Sequence, residues 1–513
     1  MSAPSPQRWR PLKAVLGGLV DVPEYLEVSD LTQDSRSVTP GAAFLACRGS
    51  TYHGVQFAPA AAAAGARAIL WEPAPGVLAP SVDASIVVRA VPNLRAQLGY
   101  IADRFFDAPS ASLTVAGITG TNGKTTCAWL LAQALERCGR RAAYIGTLGG
   151  GATDALTALG TTTPDAVTLH RLLARLRAQA FEAVAMEVSS HALDQDRCAG
   201  VRFHTAVVTN LTRDHLDYHA DMPAYGAAKA KLFNWPTLAV RVINIDDPFG
   251  LELAQDSRRG ADSAQLFLTS QRPSEWLARG AEFVRASAVL ARDIGLELEI
   301  QSSRGAARLS SALIGDFNVD NLLTVLAVLL AWDVPLVAAC EALSRCSAPP
   351  GRMQPEGGGL SPLVLIDYAH TPDALANALH AARGHCRGRL HCVFGCGGER
   401  DRGKRSDMGR IAARAADALI VTDDNPRGED PTQITEAIMR GILAAGGGAR
   451  TRVIHDRALA IRSALAAASA NDVVLLAGKG HETTQAVGER LLAFDDRAEA
   501  RRALDGRFGG RAR

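Results

Sequence analysis

The most explicit chemistry in the chain lies in Gly120-Thr121-Asn122-Gly123-Lys124-Thr125-Thr126. An apolar run before it (Leu113, Val115, Ala116, Ile118) predicts a buried strand, and an apolar helical pattern follows from Ala128 to Leu135. Strand, glycine-rich turn, Lys-Thr and helix together describe a phosphate-binding loop. Glycines let backbone N–H groups close on phosphate oxygens, and the helix N-terminus adds positive potential. Lys124 can reach the outer phosphates, and a threonine hydroxyl can ligate Mg²⁺. The spacing departs from GxxxxGK[ST] because the first glycine, Gly117, sits one residue early.

Other polar clusters stand where apolar runs end. Glu187 closes the run Ala183–Met186 and suits Mg²⁺, although such an acid also caps helices. His215 lies in the acid-rich stretch Asn210–His219, a place where a histidine on its own is more often structural than a ligand. Asn318 and Asn321 are three apart and share a helix face, either as a cap or as amides offered to a nucleotide. Towards the C-terminus, Arg400, Asp424, Arg427 and Glu482 bring both signs of charge to the ends of different predicted strands. That mixture suits an amino-acid zwitterion: guanidinium grips carboxylate bidentately, and carboxylate receives ammonium. A surface salt-bridge network is the alternative for any one of them. Gly395–Gly398 lacks the GxGxxG spacing of a dinucleotide site.

Several α/β units must position these groups. A chain of 513 residues is too long for one core, and 47% hydrophobic with 21% charged residues is a globular composition. The formal charge of +2 creates no field for nucleic acid. Nine scattered cysteines without a CxxC pair read as reduced buried thiols. The N-terminus lacks an apolar signal core, and the longest apolar run, Leu322–Trp332, is too short to span a bilayer. A soluble, cytoplasmic protein without membrane partners is expected, and it is read as a monomer. Residues 1–107 predict a small α/β domain, with strands at Ala43–Cys47, Ala68–Trp71 and Ser85–Val88, a helix at Ala60–Ala64 and a polar turn at Gln33–Arg36. Asp107–Ser110 reads as a linker. Residues 108–349 carry the phosphate loop and strands at Ala142–Ile145, Ala183–Met186, Thr205–Val208 and Val240–Ile243, the rhythm of a doubly wound, mostly parallel sheet. Alternation at Leu296–Ile300 suggests antiparallel strands at its edge. Residues 350–513 repeat the βα rhythm at Leu363–Ile366, Leu390–Phe394, Ala418–Val421 and Val473–Leu476. In such sheets the carboxyl ends of the strands form the binding edge.

The order of these phrases resembles the Mur ligase family, the ATP-dependent amide-forming enzymes of peptidoglycan precursor synthesis. The resemblance rests on GTNGKTT at 120–126, MEVSSHAL at 186–193, TNLTRDHLDYH at 209–219, AAKAKLF at 227–233, NIDDP at 244–248, PPGRMQ at 349–354 and DYAHTPDAL at 367–375. It implies a central P-loop ATPase domain between an N-terminal UDP-substrate domain and a C-terminal, Rossmann-like amino-acid domain. DNPR at 424–427 points, within the family, to the member adding meso-2,6-diaminopimelate. By motif matching, Ser35 and Ser50, Thr51 and Tyr52 would hold the uridine nucleotide end; Thr162, Thr163, Ser189, Gln195 and Arg197 the muramoyl-dipeptide. Gly120–Thr126, Asn318, Arg352 and Asp367 would serve ATP. Arg400, Asp424, Asn425, Pro426, Arg427, Gly478 and Glu482 would hold diaminopimelate. Thr125, Glu187 and His215 would ligate Mg²⁺ with Lys229, which the family carries as a carbamate (N6-carboxylysine). An ammonium cannot ligate a cation, whereas a carbamate supplies anionic oxygen. Lys231 is the wrong lysine by motif position. Two departures stand out: His53-Gly54-Val55 replaces the usual Asp-Gly-His, and Glu399 replaces the usual Asp before Arg400.

The resemblance implies phosphoryl transfer to a substrate carboxylate, then attack of an amine on the acyl phosphate. Lys124 and Mg²⁺ would offset charge, and no nucleophilic side chain would be needed. The rival readings are a sibling ligase adding L-lysine or another amino acid, folylpolyglutamate synthetase, and a P-loop switch without ligase chemistry.

Overall fold

The computed structural model describes residues 9–49, 52–216, 218–259, 263–273, 275, 281–292 and 294–508. It divides into two compact units, one of residues up to 124 with 135–266 and one of 125–134 with 267 onwards.

In the first unit, strands β1 (Leu31–Thr32), β2 (Ala43–Ala46), β3 (Ala68–Trp71) and β4 (Val87–Ala90) form a parallel sheet in sequence order. The continuous apolar run of β2 buries both faces: Ala43 and Leu45 enter one core cluster, Phe44 and Ala46 the other. The last strand sits two residues later than the predicted Ser85–Val88, and the helix covers Ala58–Ala63 with a proline in its first turn. The expected linker at Asp107–Ser110 is a packed turn. Asp107 and Ala108 have positive φ, and Pro109 and Ser110 are buried.

Helix α1 (Leu94–Phe105) leads into β5 (Thr114–Thr119), which feeds the glycine loop and then α2 (Lys124–Arg137). Next come β6 (Ala142–Gly146), β7 (Gly149–Ala152), β8 (Ala155–Thr157), α3 (Ala166–Ala178), β9 (Ala183–Glu187), β10 (Phe203–Val208), α4 (Met222–Ala230) and β11 (Val240–Asn244). The strands are ordered β8-β7-β6-β9-β5-β10-β11. Strands β6, β9, β5, β10 and β11 are parallel, so their carboxyl ends meet on one edge.

In the second unit, β12 (Gln265–Ser270), β13 (Glu282–Ala291), β14 (Leu296–Ser302) and β15 (Gly305–Ser311) lie side by side, the last three antiparallel, as the alternation at 296–300 suggested. The apolar run near 322–332 is the buried helix α5 (Phe317–Ala331). A second sheet holds β16 (Gln354–Gly357), β17 (Leu363–Asp367), β18 (Leu390–Phe394), β19 (Ala418–Val421), β20 (Thr451–Val453) and β21 (Val473–Ala477), in the order β16-β17-β21-β18-β19-β20. All but β16 are parallel. Its strands read as unbroken apolar runs because both faces are covered: Leu363 and Leu365 pack on one side, Val364 and Ile366 on the other. The unit also holds helices at Leu336–Ser344, Pro372–Gly384, Lys404–Ala415 and Pro431–Ala444, helix α6 (Arg457–Ala467), a hairpin of β22 (Thr484–Val487) and β23 (Arg490–Ala493), and α7 (Asp496–Phe508). Among the described residues, no helix is long and apolar enough to cross a membrane. The nine cysteines are free thiols.

Candidate active site

The glycine loop after β5 is braced by the residues that follow β10. Gly120 has φ +144°, and a Cβ there would fall 1.9 Å from Thr209 Oγ1, so only glycine fits. Thr209 Oγ1 donates to Asn122 O at 2.6 Å; Thr121 N and Asn122 N donate to Asn210 O and Oδ1, both at 2.9 Å. Lys124 is folded back on the loop, its Nζ donating to Gly120 O (2.8 Å) and Thr121 O (2.9 Å). Thr125 and Thr126 follow in α2, both buried.

Lys229, on α4, is 1% exposed and donates to the same Gly120 carbonyl at 2.8 Å. Its Nζ lies 4.4 Å from the Tyr225 ring centre. Burial, reinforced by repulsion from Lys124, pushes its pKa well below the ordinary 10.5. The neutral amine is the form that takes up CO₂ to become a carbamate, so this lysine fits the modification. Lys231, two residues on, is half-exposed and pairs with Asp194 at 3.2 Å. Burial pushes the Tyr225 phenol up to about 12, and its hydroxyl lies 3.2 Å from Thr121 Oγ1. His215 (φ +54°) stands beside the same tyrosine, with ring centres 6.0 Å apart, and 3.5 Å from Asp214 Oδ2.

Glu187 is fully buried at the end of β9. Tyr144 donates a short hydrogen bond to Oε1, which also accepts from Thr147 N at 3.0 Å. Tyr144 and Thr147 were not singled out by the sequence reading. Unmodified, these side chains do not make a metal cage: among the described residues no group of three or more His, Cys, Asp or Glu could hold an ion. A carbamate on Lys229 would change that donor set.

The residues matched to the dipeptide form one chain of contacts. Thr163 Oγ1 donates to Glu187 O and accepts from Ser189 N; Arg197 donates to Thr163 O at 3.0 Å and to Gln195 Oε1 at 2.6 and 2.9 Å. Thr162 meets Thr147 hydroxyl to hydroxyl at 3.0 Å. Gln195 and Arg197 line a cavity of ≈ 380 Å³ with Gln33, Arg95, Thr161 and Asp165, a volume suited to a small-molecule ligand. Ser35 begins a short 3₁₀ turn capped by Asp34, and Tyr52 is exposed. Ser50 and Thr51 lie outside the described residues.

In the second unit, Asp367 at the end of β17 accepts Met353 N (2.8 Å) and Ala369 N (2.9 Å), and burial raises its pKa. The Arg352 guanidinium lies 5.0 Å from the centre of the Tyr368 ring, which also meets His481 and His370. Asn318 and Asn321 do share a face, but they bond inward: Asn321 donates to Asn318 Oδ1, and Asn318 to Ile314 O, each at 2.8 Å.

The parallel strands bring the mixed-charge residues together. Asn425 Nδ2 donates to Glu482 Oε2 at 2.8 Å. Lys479, fully buried, donates to Asn425 Oδ1 and Glu482 Oε2 at 3.2 Å and lies 3.7 Å from Asp424. Burial raises the pKa of Asp424, while Arg457 and Lys479 oppose that rise. Arg427 (φ +51°) points its guanidinium to Gly398 O at 2.8 Å. Gly478 has φ +113° and leaves room for Asp424, whose Oδ2 would be 3.0 Å from a Cβ. Arg400 lies exposed one residue after Glu399. Lys479 is the residue the sequence reading passed over, although its Gly-Lys-Gly follows an apolar strand as plainly as the Gly-Lys-Thr of the phosphate loop.

Fold and site thus define a multidomain α/β enzyme built around an ATP phosphate loop. The chain belongs to the Mur ligase family: the models for the Mur ligase family catalytic domain, middle domain and glutamate ligase domain match residues 27–106, 118–329 and 351–480. A relative from Alkalilimnicola ehrlichii, UDP-N-acetylmuramoyl-L-alanyl-D-glutamate--2,6-diaminopimelate ligase, is 46% identical over 93% of this chain and 95% of its own. A Xanthomonas campestris relative of the same name is 49% identical over 94% and 95%. A solved structure of a ligase so named covers 97% of this chain and 99% of its own at 34% identity and TM-score 0.71. Mycobacterium tuberculosis folylpolyglutamate synthase covers 80% of this chain at 18% identity and TM-score 0.61, a likeness of fold alone.

Proposed function

We propose that the protein joins meso-2,6-diaminopimelate to UDP-N-acetylmuramoyl-L-alanyl-D-glutamate, converting ATP to ADP and phosphate, in peptidoglycan precursor synthesis. The observation that carries the reading is near full-length identity, 46–49% over 93–95% of the chain, with relatives named for that reaction. Residues 1–107, 108–349 and 350–513 are assigned to the UDP-substrate, ATP and amino-acid domains of a cytoplasmic monomer.

In this reading the D-glutamate γ-carboxylate attacks the ATP γ-phosphate, held by the amides of Gly120–Thr126 and the ammonium of Lys124. Asn318, Arg352 and Asp367 hold the rest of ATP. Mg²⁺, assigned to Thr125, Glu187, His215 and the Lys229 carbamate, offsets phosphate charge when bound. Ser35, Ser50–Tyr52, Thr162, Thr163, Ser189, Gln195 and Arg197 hold the acceptor. Arg400, Asp424–Arg427, Gly478 and Glu482 orient diaminopimelate, whose neutral amine attacks the acyl phosphate and displaces phosphate. Catalysis is positioning and electrostatics.

The test is phosphate release from ATP with the nucleotide dipeptide, comparing meso-diaminopimelate with L-lysine. Release with diaminopimelate, and a nucleotide product heavier by that residue, is expected. Release with lysine alone would move the assignment to the lysine-adding ligase. ATP hydrolysis independent of either amine would return the P-loop switch.

A further inference from the structure

The loop carrying Asp424, Asn425 and Arg427 is held by the β22–β23 hairpin, which has no part in the assignments above. Four hydrogen bonds join its first strand and the turn after it to residues 424–427. Gln485 Nε2 donates to Asp424 O at 2.7 Å, and Ala486 N to Asn425 Oδ1 at 3.0 Å. Arg427 N donates to Ala486 O at 3.0 Å, and Gly488 N to Arg427 O at 2.7 Å. Arg427 and Val487 thereby form a parallel bridge. Both backbone groups of Arg427 are thus taken up by the hairpin, while its φ is +51°, a conformation an arginine keeps only when its surroundings over-determine it. The hairpin's outer side is open, with Leu491 69% exposed.

We propose that this hairpin is the clamp that sets amino-acid specificity, and that Gln485 is its positioning residue. The inference rests on the diaminopimelate reading of the same loop. Three of the four bonds use hairpin backbone; the Gln485 amide is the side-chain anchor. It fixes the Asp424 carbonyl, and with it the peptide planes from which Asn425 and Arg427 project. A guanidinium discriminates between a carboxylate and a shorter or neutral group only while its own position is fixed. Loosening the anchor therefore costs affinity for the substrate that uses Arg427 and little for one that does not.

Gln485→Met keeps the length and removes the donor. Its KM for meso-diaminopimelate should rise about tenfold, the worth of one neutral hydrogen bond. The KM for ATP and kcat at saturating amine should stay within about twofold, and the kcat/KM preference over L-lysine should fall with the diaminopimelate KM. Leu491→Gln should change none of these. An unchanged KM and preference overturns the clamp, as does loss of kcat with both amines at constant KM, the signature of a role in folding alone. Amide exchange on the unmodified protein covers a variant that does not fold. Arg427 and Gly488 amides should be protected together, and free exchange at Arg427 overturns the proposal. Failure of the functional reading looks different: the unmodified protein would release no phosphate with diaminopimelate.

Discussion

Two lysines are fully buried among the described residues, in opposite surroundings. Lys229 lies against a carbonyl and a tyrosine face, and repulsion from Lys124 outweighs the attraction of Asp214. Lys479 lies among Asp424, Glu482 and the Asn425 amide. Burial without a directly paired anion drives a lysine toward the neutral amine, which is reactive. Burial between carboxylates instead makes the lysine a counter-charge whose removal strands its neighbours. On the proposed function, the first lysine is kept for chemistry at a cost to stability, and the second holds its site in shape.

Lys229→Met separates the two cases most widely. Turnover should fall by at least about 10²–10³-fold, because the proposed function assigns Lys229 to the group that offsets charge at the transferring phosphate. Compared with the parent carrying an unmodified Lys229 amine, stability should hold or rise. Below pH 10.5 an unfolded lysine takes a proton that the buried amine does not, so the native state loses stability as pH falls from 10.5 toward the lowered folded pKa. Methionine removes that loss. The thermal midpoint of the variant should therefore exceed that of the parent at pH 7 and approach it near pH 10; a lower midpoint at pH 7 would break the contrast. Lys479→Met should do the reverse. It leaves Asp424 and Glu482 without their cation, which should cost about 3 kcal/mol and raise the KM for diaminopimelate. An unchanged denaturation midpoint would show that the buried cation is dispensable.

The same contrast explains what the sequence could and could not disclose. The phosphate loop was legible because its parts are adjacent in the chain: apolar strand, Gly120, Gly123, Lys124 and helix. The strands were legible as continuous apolar runs because both faces of each parallel sheet are covered. Ser85–Val88 slipped by two residues because the strand pairing runs on through the charged Arg89 to Ala90, opposite Leu70 and Trp71, where the apolar run has already ended. Asp107–Ser110 has the composition of a linker, yet positive φ at Asp107 and Ala108 turns the chain so that Pro109 and Ser110 are buried. Lys229 could be singled out only by resemblance: Tyr225 lies one helical turn before it, but the Gly120 carbonyl that its amine meets is 109 residues away and is brought in by tertiary folding. Tyr144, which orients Glu187, comes from a different strand. The β22–β23 hairpin was silent because one side is open and its contacts to the 424–427 loop are mostly backbone, which leaves no residue pattern.

The smallest effect sharpens the comparison from outside. Lys231 is two residues from Lys229, and composition alone gives no reason to prefer one over the other. Its side chain is 48% exposed and its partner Asp194 is 43% exposed, at 3.2 Å. An exposed pair of this kind contributes roughly 0–1 kcal/mol, because solvent and salt screen it and ordering two side chains costs entropy. Lys231→Ala should therefore shift the denaturation midpoint by less than about 1 kcal/mol and leave turnover within about twofold. Raising the salt concentration should shrink even that difference, while the effects of Lys229→Met and Lys479→Met persist. If Lys231→Ala instead abolished turnover with the fold intact, exposure and partner charge would not be what separates a reactive lysine from an ordinary one on this stretch of chain.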